Sequence, residues 1–210
     1  MEVFVPRCIL MLSIRLGEDL VLKWETDMPA LIALDYINDM VTETGKAAIA
    51  YPEVARRGVI EKLNKSTQAA RDRGWKVFFV NIAVDAHCLP AESQLRTALS
   101  VGGACQIGTP GVELAPGVIR DQRDIVLRRY RLSAFRSALM SYLTSVELLY
   151  VCGVSTSLCV SSTVREAFER NIPVKIIEDA CAAESQDIHE TEIKVLSMLA
   201  ETVSSDQLIQ

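Results

Sequence analysis

The sequence is poor in histidine and lacks the glycine-rich motifs that bind nucleotides. Only His87 and His189 occur in 210 residues, and neither lies in a pattern that matches a Ser-His-Asp or Cys-His-Asn triad. There is no Gly-x-Ser-x-Gly elbow, no Walker loop and no Gly-x-Gly-x-x-Gly after a predicted strand. These absences disfavour catalysis through a histidine base and give nucleotide binding no support.

Long hydrophobic runs are also absent, which bears on the membrane. No apolar run approaches the roughly 18 residues that a spanning helix needs. The first 16 residues are partly apolar, but Glu2 precedes the apolar part, Pro6 and Arg7 interrupt it, and no small-residue cleavage site follows. We therefore expect neither a signal peptide nor a membrane partner.

The net charge and the spacing of the cysteines argue against a nucleic-acid-binding protein and against a zinc site. A net charge of -5 argues against an electrostatic nucleic-acid binder, since the basic cluster at Arg128, Arg129 and Arg131 is local. The six cysteines show no Cys-x-x-Cys zinc spacing, so we interpret them as reduced thiols of a cytoplasmic protein.

Strand-like and helix-like segments alternate after residue 29, which is typical of a parallel sheet covered by helices. We predict an α/β fold with three layers, a doubly wound, mostly parallel sheet with helices on both faces. A single domain at residues 30–210 is expected, with residues 1–29 as an added hairpin or dimer arm. The pattern places strands at 30–34, 77–80, 124–129, 148–152 and 174–177, and helices at 59–73, 134–144, 160–168 and 187–200.

Cys159 lies where a predicted strand ends at Gly153 and a helix begins within about five residues. Unpaired backbone N–H groups and the positive end of the helix dipole favour a thiolate there, which predicts a pKa below the usual value of about 8.5. Such a cysteine is a candidate nucleophile. The alternative is a small buried apolar residue, because free cysteine is among the most buried side chains.

Two further segments supply charged partners for such a thiol. Residues 30–34 form an apolar run that predicts a buried strand, and it ends at Asp35, where a parallel sheet has its ligand crevice. Residues 124–135 are predicted to form a short strand followed by a basic, aromatic turn.

Together these segments resemble the isochorismatase-like cysteine hydrolases. The resemblance covers about residues 29–205 and takes in the motifs at 108–114 and 177–182. It implies an acid at Asp35 and a nucleophile at Cys159. The family lysine falls on Arg129, and the family glutamine falls on Ile37. Arginine keeps the positive charge of lysine but cannot share a proton as lysine can.

The resemblance implies a hydrolase that cleaves a C–N bond of a small amide-like molecule. Asp35 would take the thiol proton, and Arg129 would orient Asp35. The implied substrate and oxyanion contacts come from these residues: Tyr36, Tyr130, Val154, Ser155 and Thr156. In the family the bond that matches Val154–Ser155 is cis. Ser155, Thr156 and Ser157 could instead be simple helix caps.

Two other functions stay open at this point. Isochorismatases of this fold cleave a vinyl ether without the cysteine, and the arginine could mark a fold that is retained as a binding or assembly protein. We expect a small-molecule substrate and a homodimer or homotetramer.

Metal binding needs separate treatment, because nicotinamidases of this family hold a metal through an Asp-x-His pair and a second histidine. Asp85 and His87 have that spacing, and His189 is the only other histidine. Catalytic metals usually have three protein ligands. We therefore expect no metal and no cofactor, with His87 in the substrate pocket or on the surface and His189 as an exposed helix residue.

Overall fold

The computed structural model describes residues 28–85, 102–144 and 146–209. Apart from its last two residues, the N-terminal extension at 1–29 therefore lies outside the described residues. So do His87, Cys8 and Cys88.

Six parallel strands form one sheet with the order β3-β2-β1-β4-β5-β6. The strands are β1 Ala30–Leu34, β2 Lys76–Ile82, β3 Ile125–Arg129, β4 Leu149–Gly153, β5 Val174–Ile177 and β6 Glu201–Val203. The order reverses between β1 and β4, which is the signature of a doubly wound sheet. The predicted α/β architecture is confirmed.

Five α-helices connect these strands in the described parts of the chain. They are α1 Asn38–Val41, α2 Tyr51–Arg57, α3 Val59–Asp72, α4 Ser161–Glu169 and α5 Gln186–Leu196. Because crossovers between parallel strands are right-handed, α1 to α3 cover one face of the sheet, and α4 and α5 cover the other. None of the described helices is long and apolar enough to cross a membrane.

The central strands are buried on both sides, which explains their continuous apolar sequences. Every residue of β1 is inaccessible to solvent. From the α3 side Leu63 and Ala70 enter the core, and Val164 and Ala167 enter it from α4. This rigid centre fixes the positions of the residues that follow β1 and β4.

Three boundaries differ from the sequence prediction. The helix predicted at 134–144 is a pair of 3-10 turns, Ala134–Arg136 and Ala138–Tyr142, because Ser137 is extended and its side chain caps a new turn. Helix α5 ends at Leu196 rather than at Ala200. The short strand β6 follows and was not predicted, since its three residues are too few to give a clear pattern.

Candidate active site

The three predicted catalytic residues lie at the carboxyl end of the sheet, around the point where the strand order reverses. Asp35 follows β1 directly, and Arg129 is the last residue of β3. Cys159 lies in a π-helical turn, Thr156–Val160, that connects β4 to α4. The chain leaves β1 and β4 in opposite directions, and this divergence forms the crevice where open α/β sheets bind ligands.

Asp35 is held by hydrogen bonds to both carboxylate oxygens. The Ile82 backbone N–H donates to Oδ1 at 2.6 Å, and the Arg129 guanidinium donates to Oδ2 through Nη2. The backbone of Asp35 has a φ of 59°, a left-handed conformation in which aspartate is more common than most residues. Such conformations occur often at functional sites, where the surrounding structure holds them in place.

Arg129 is completely buried because inward and outward side chains alternate along β3. Leu127 and Arg129 are buried, whereas Val126 and Arg128 are exposed. Besides Asp35, the guanidinium binds the Arg131 carbonyl through Nη1. Among the described residues no acceptor lies within hydrogen-bonding distance of its Nε–H. The guanidinium therefore compensates the charge of Asp35, and its Nε has no hydrogen-bond partner among the described residues.

The Cys159 side chain is only 2% exposed and lies beside Asp35. Its thiol is placed to donate to the Ser155 carbonyl at 3.4 Å. Asp35 and Cys159 are also close enough for each group to shift the pKa of the other. Asp35 thus bonds to a cation and lies near a thiol, and the catalytic roles assigned to these three residues stay predictions.

The predicted thiolate is not what the environment of Cys159 favours. Burial raises the pKa of the thiol well above its usual value, and the negative charge of Asp35 raises it further, whereas Arg129 lowers it. Burial also raises the pKa of Asp35, against the opposing effects of Arg129 and the Ile82 N–H. The prediction of a lowered thiol pKa is therefore wrong, because burial disfavours the charged form.

The turn before Cys159 includes a backbone donor, the Ser155 N–H, for which the described residues provide no acceptor. The peptide bond between Val154 and Ser155 is cis. The N–H of Val154 donates to Leu34 at 3.1 Å, and that of Thr156 donates to Ala182 at 2.8 Å. The Ser155 N–H has no hydrogen-bond acceptor in the described part of the chain. Of the predicted oxyanion residues, Ser155 is thus the one whose backbone N–H is left to bind a ligand.

A close approach of β4 to β1 fixes this turn relative to Asp35. Gly153 pairs with Leu34, and a Cβ at Gly153 would lie 2.5 Å from the Leu34 Cβ and 2.9 Å from its carbonyl oxygen. Only glycine permits this spacing.

The two predicted tyrosines have different environments. Tyr36 is buried, and its hydroxyl donates to the Ala180 carbonyl at 2.5 Å, so it ties β1 to the turn after β5. Tyr130 is 42% exposed and lines an open cleft of about 1070 Å³ beside Arg131 and Ser133. Only Tyr130 is therefore accessible from the solvent.

His189 was predicted to be exposed, and this is wrong. The ring is 0% exposed, with Nδ1 2.8 Å from the Thr156 hydroxyl and Nε2 2.7 Å from a carboxylate oxygen of Glu178. Arg57 donates to the same Glu178 oxygen at 2.7 Å. The Thr156 side chain therefore links the turn that carries Cys159 to His189. His189, Ile193 and Leu196 share one helix face, and this spacing could have revealed the inward orientation.

The serines of the turn bind a carboxylate instead of capping a helix. The hydroxyl of Ser155 donates to Glu184 at 3.0 Å, and that of Ser157 donates to its other oxygen at 2.9 Å. Ser155 makes no side-chain cap bond at the start of the π turn. Glu184 therefore holds the turn that precedes Cys159 through two serine hydroxyls. No sequence pattern predicted this contact.

The described residues contain no group of three histidine, cysteine, aspartate or glutamate side chains that could hold a metal ion. His87 lies outside them, so the expectation of no metal stays a prediction. The four described cysteines, Cys105, Cys152, Cys159 and Cys181, are free thiols.

This fold and this set of buried residues have relatives among known proteins. The chain is 27% identical to the uncharacterized isochorismatase family protein YddQ of Bacillus subtilis (strain 168), over 77% of this chain and 81% of that protein. An isochorismatase family protein of Desulfovibrio vulgaris is 28% identical with a TM-score of 0.76, over 87% of this chain and 96% of that one. The N-carbamoylsarcosine amidase of Thermoplasma acidophilum has the same fold, with a TM-score of 0.70 and 24% identity over 85% of this chain and 97% of that one.

Residues 29–207 match the Isochorismatase domain family. The chain therefore belongs to the isochorismatase family, and its fold is that of the family's hydrolases.

Proposed function

We propose that this protein hydrolyses a C–N bond of a small amide through a covalent acyl intermediate on Cys159. The observation that carries the proposal is the position of Asp35, which contacts the Arg129 guanidinium and lies beside the Cys159 thiol. A nucleophile, a base in contact with it and a third group that orients the base are the three parts of such a site. The N-carbamoylsarcosine amidase fold lends support to amide chemistry.

The first half of the reaction transfers the Cys159 proton to Asp35 as sulfur attacks the substrate carbonyl carbon. The C–N bond then breaks, and Asp35 returns the proton to the leaving nitrogen. The raised pKa of Asp35 suits both transfers, because general acid–base catalysis works best when the pKa is close to the working pH. The amine departs, and a thioester remains on Cys159.

The second half uses water in place of the thiol. Asp35 takes a proton from water, the hydroxide adds to the thioester carbon, and the C–S bond breaks. The sulfur leaves as a thiolate and recovers its proton from Asp35. Arg129 keeps the carboxylate oriented in both halves, and its positive charge compensates the negative charge on Asp35.

The negative oxygen of each tetrahedral intermediate needs donors. The Ser155 N–H is a donor without an acceptor among the described residues, and it lies four residues before Cys159. We propose that it forms the oxyanion site together with the Cys159 N–H.

A panel of small amides, ureas and carbamoyl compounds tests the proposal. We expect ammonia or amine release with at least one member, loss of release in Cys159→Ala, and an acylated Cys159 peptide in mass spectra of rapidly quenched reactions. Cys152→Ala is the matched control, because Cys152 is a second buried cysteine within β4 and has no role in the proposed mechanism. Release that survives Cys159→Ala contradicts the mechanism.

A second candidate function is supported by Arg129, which cannot exchange a proton as the family lysine can. Under this alternative the protein binds a small molecule or assembles with copies of itself without turnover. Arg129→Lys discriminates between the two, because turnover that appears only in the lysine variant indicates a binding protein that has lost catalysis. Isochorismate belongs in the panel, since its cleavage without any effect of Cys159→Ala would indicate vinyl ether chemistry.

A further inference from the structure

A small cavity lies against the edge of the sheet, on the face opposite the active site. Along β3 successive side chains point to opposite faces, so Arg128 faces away from the crevice that contains Arg129. Asn81 of β2 is in register with Arg128 and points to the same face. Both line a cavity of about 300 Å³ that is covered by the loop after the 3-10 turn Pro110–Val112.

The cavity is lined by charged groups that form no ion pair with the part of the chain that the structure describes. Arg120 and Arg128 line it, and neither forms an ion pair with any carboxylate of the described residues. Glu113 lines the same cavity and likewise forms no ion pair within the described ranges. Two guanidinium groups and one carboxylate therefore face a shared space.

A buried, unsatisfied acceptor lies at the cavity wall. Asn81 is 4% exposed, and no donor among the described residues lies within hydrogen-bonding distance of its Oδ1. A buried polar atom without a partner is costly, so it is uncommon in folded proteins unless a ligand or water completes it. The rest of the wall is apolar and includes Val112, Leu114 and Val126.

We propose that this cavity is a second ligand site, separate from the cysteine site, that takes an α-amino acid with a small apolar side chain. The carboxylate of the ligand accepts hydrogen bonds from Arg120 and Arg128. Its ammonium group donates to the Oδ1 of Asn81 and is attracted by Glu113. The apolar side chain contacts Val126 and its neighbours. The volume is at the lower end of ordinary ligand pockets, which suits a molecule of this size.

The experiment compares three molecules of nearly equal shape by calorimetry and ligand-observed NMR. L-valine carries both charged groups, isovalerate lacks the ammonium group, and isobutylamine lacks the carboxylate. We expect saturable binding of L-valine and binding of each of the other two that is weaker by about tenfold or more, because each loses charge-assisted hydrogen bonds. No saturable binding of L-valine below about 10 mM, or equal binding of isovalerate, overturns the proposal.

Variants of the cavity residues test whether L-valine binds in this cavity. Arg128→Gln should weaken L-valine binding about tenfold to a hundredfold, whereas Arg123→Gln, an exposed arginine outside the cavity, should not change it. Asn81→Leu should abolish binding and leave the melting temperature unchanged or higher, because it removes an unsatisfied polar atom. Binding that survives both cavity variants, or that is lost in Cys159→Ala, places the ligand elsewhere and overturns the proposal.

Discussion

Arg129 and Asp35 form an ion pair whose side chains are only 0% and 3% exposed. An ion pair that is removed from water on both sides stabilises the protein only as a pair, because either charge alone would be buried without compensation. Asp35 also accepts a hydrogen bond from the Ile82 N–H, so residues of β2 and β3 both position its carboxylate.

Replacing Arg129 should therefore affect stability and turnover together. We expect Arg129→Ala to lower the free energy of unfolding by about 3–5 kcal/mol, as for other buried pairs that lose one member. Arg129→Lys keeps the charge and should lose less. The exposed neighbour provides the control, since Arg128→Ala should stay within about 0.5 kcal/mol of the parent. Denaturant unfolding and assays of each variant provide the measurement, and an alanine variant as stable and active as the parent would refute the role.

The central part of the fold could be predicted from the sequence because β1 and β4 are buried on both faces and carry uninterrupted apolar runs. At 134–144 the apolar spacing fits a helix, but Ser133 and Ser137 each start a separate short turn, so the predicted helix does not form. Strand β6 was not predictable, because it is three residues long and lies at the sheet edge.

The site could be predicted in its composition but not in its electrostatics. Asp35 and Cys159 follow strands, so their position at the crevice follows from the parallel sheet. The protonation of Cys159 depends on how deeply the turn is buried, which no local pattern records. The inward orientation of His189 could have been read from its spacing to Ile193 and Leu196, but its partners Thr156 and Glu178 could not, because the fold brings them together.

Asp35→Asn separates the two roles of the carboxylate. Turnover should fall about 10²- to 10⁴-fold, because a general base is lost. The Cys159 thiol should become easier to ionise, since the charge of Asp35 is one of the causes of its raised pKa. Steady-state assays and thiol titration of the same preparation give both quantities. Full turnover in the asparagine variant would remove Asp35 from the mechanism.

The reactivity of Cys159 should follow its raised pKa. Alkylation by iodoacetamide should be slow at neutral pH and increase with a midpoint above the usual thiol value of about 8.5, because only the thiolate reacts. The midpoint should fall in Asp35→Asn and rise in Arg129→Ala. Peptide mass spectrometry over a pH series measures it, and Cys152, whose pKa burial raises to about 12, serves as an internal control. A Cys159 midpoint near 7 would contradict this electrostatic account.

Gly153→Ala tests the close approach of β4 to β1. A Cβ there would lie 2.5 Å from the Leu34 Cβ, so the strands must separate, at a cost of about 1–3 kcal/mol in the free energy of unfolding. Gly102→Ala is the control, because its Cβ would be in ordinary contact at 3.7 Å. Equal melting temperatures for the two variants would show that β4 tolerates the methyl group.

His189→Leu removes the imidazole that connects Thr156, in the turn that carries Cys159, to Glu178. The variant leaves the Thr156 hydroxyl and a Glu178 oxygen without their histidine partner, which should cost about 1–3 kcal/mol. Ile188→Ala, at an exposed position of the same helix, is the control. Turnover should fall as well, because the turn that carries Cys159 loses a support.

The pH dependence of this effect has a definite sign. The hydrogen bond from His189 is the largest cause that lowers the pKa of Glu178 to about 2. A carboxyl with a lowered pKa in the folded state stabilises it above the unfolded pKa of about 4.3, and this stabilisation is lost as the pH falls toward 2. The parent should therefore lose more stability than His189→Leu between pH 5 and 2. Parallel unfolding curves across this range measure the difference, and identical pH profiles would show that His189 does not set the charge state of Glu178.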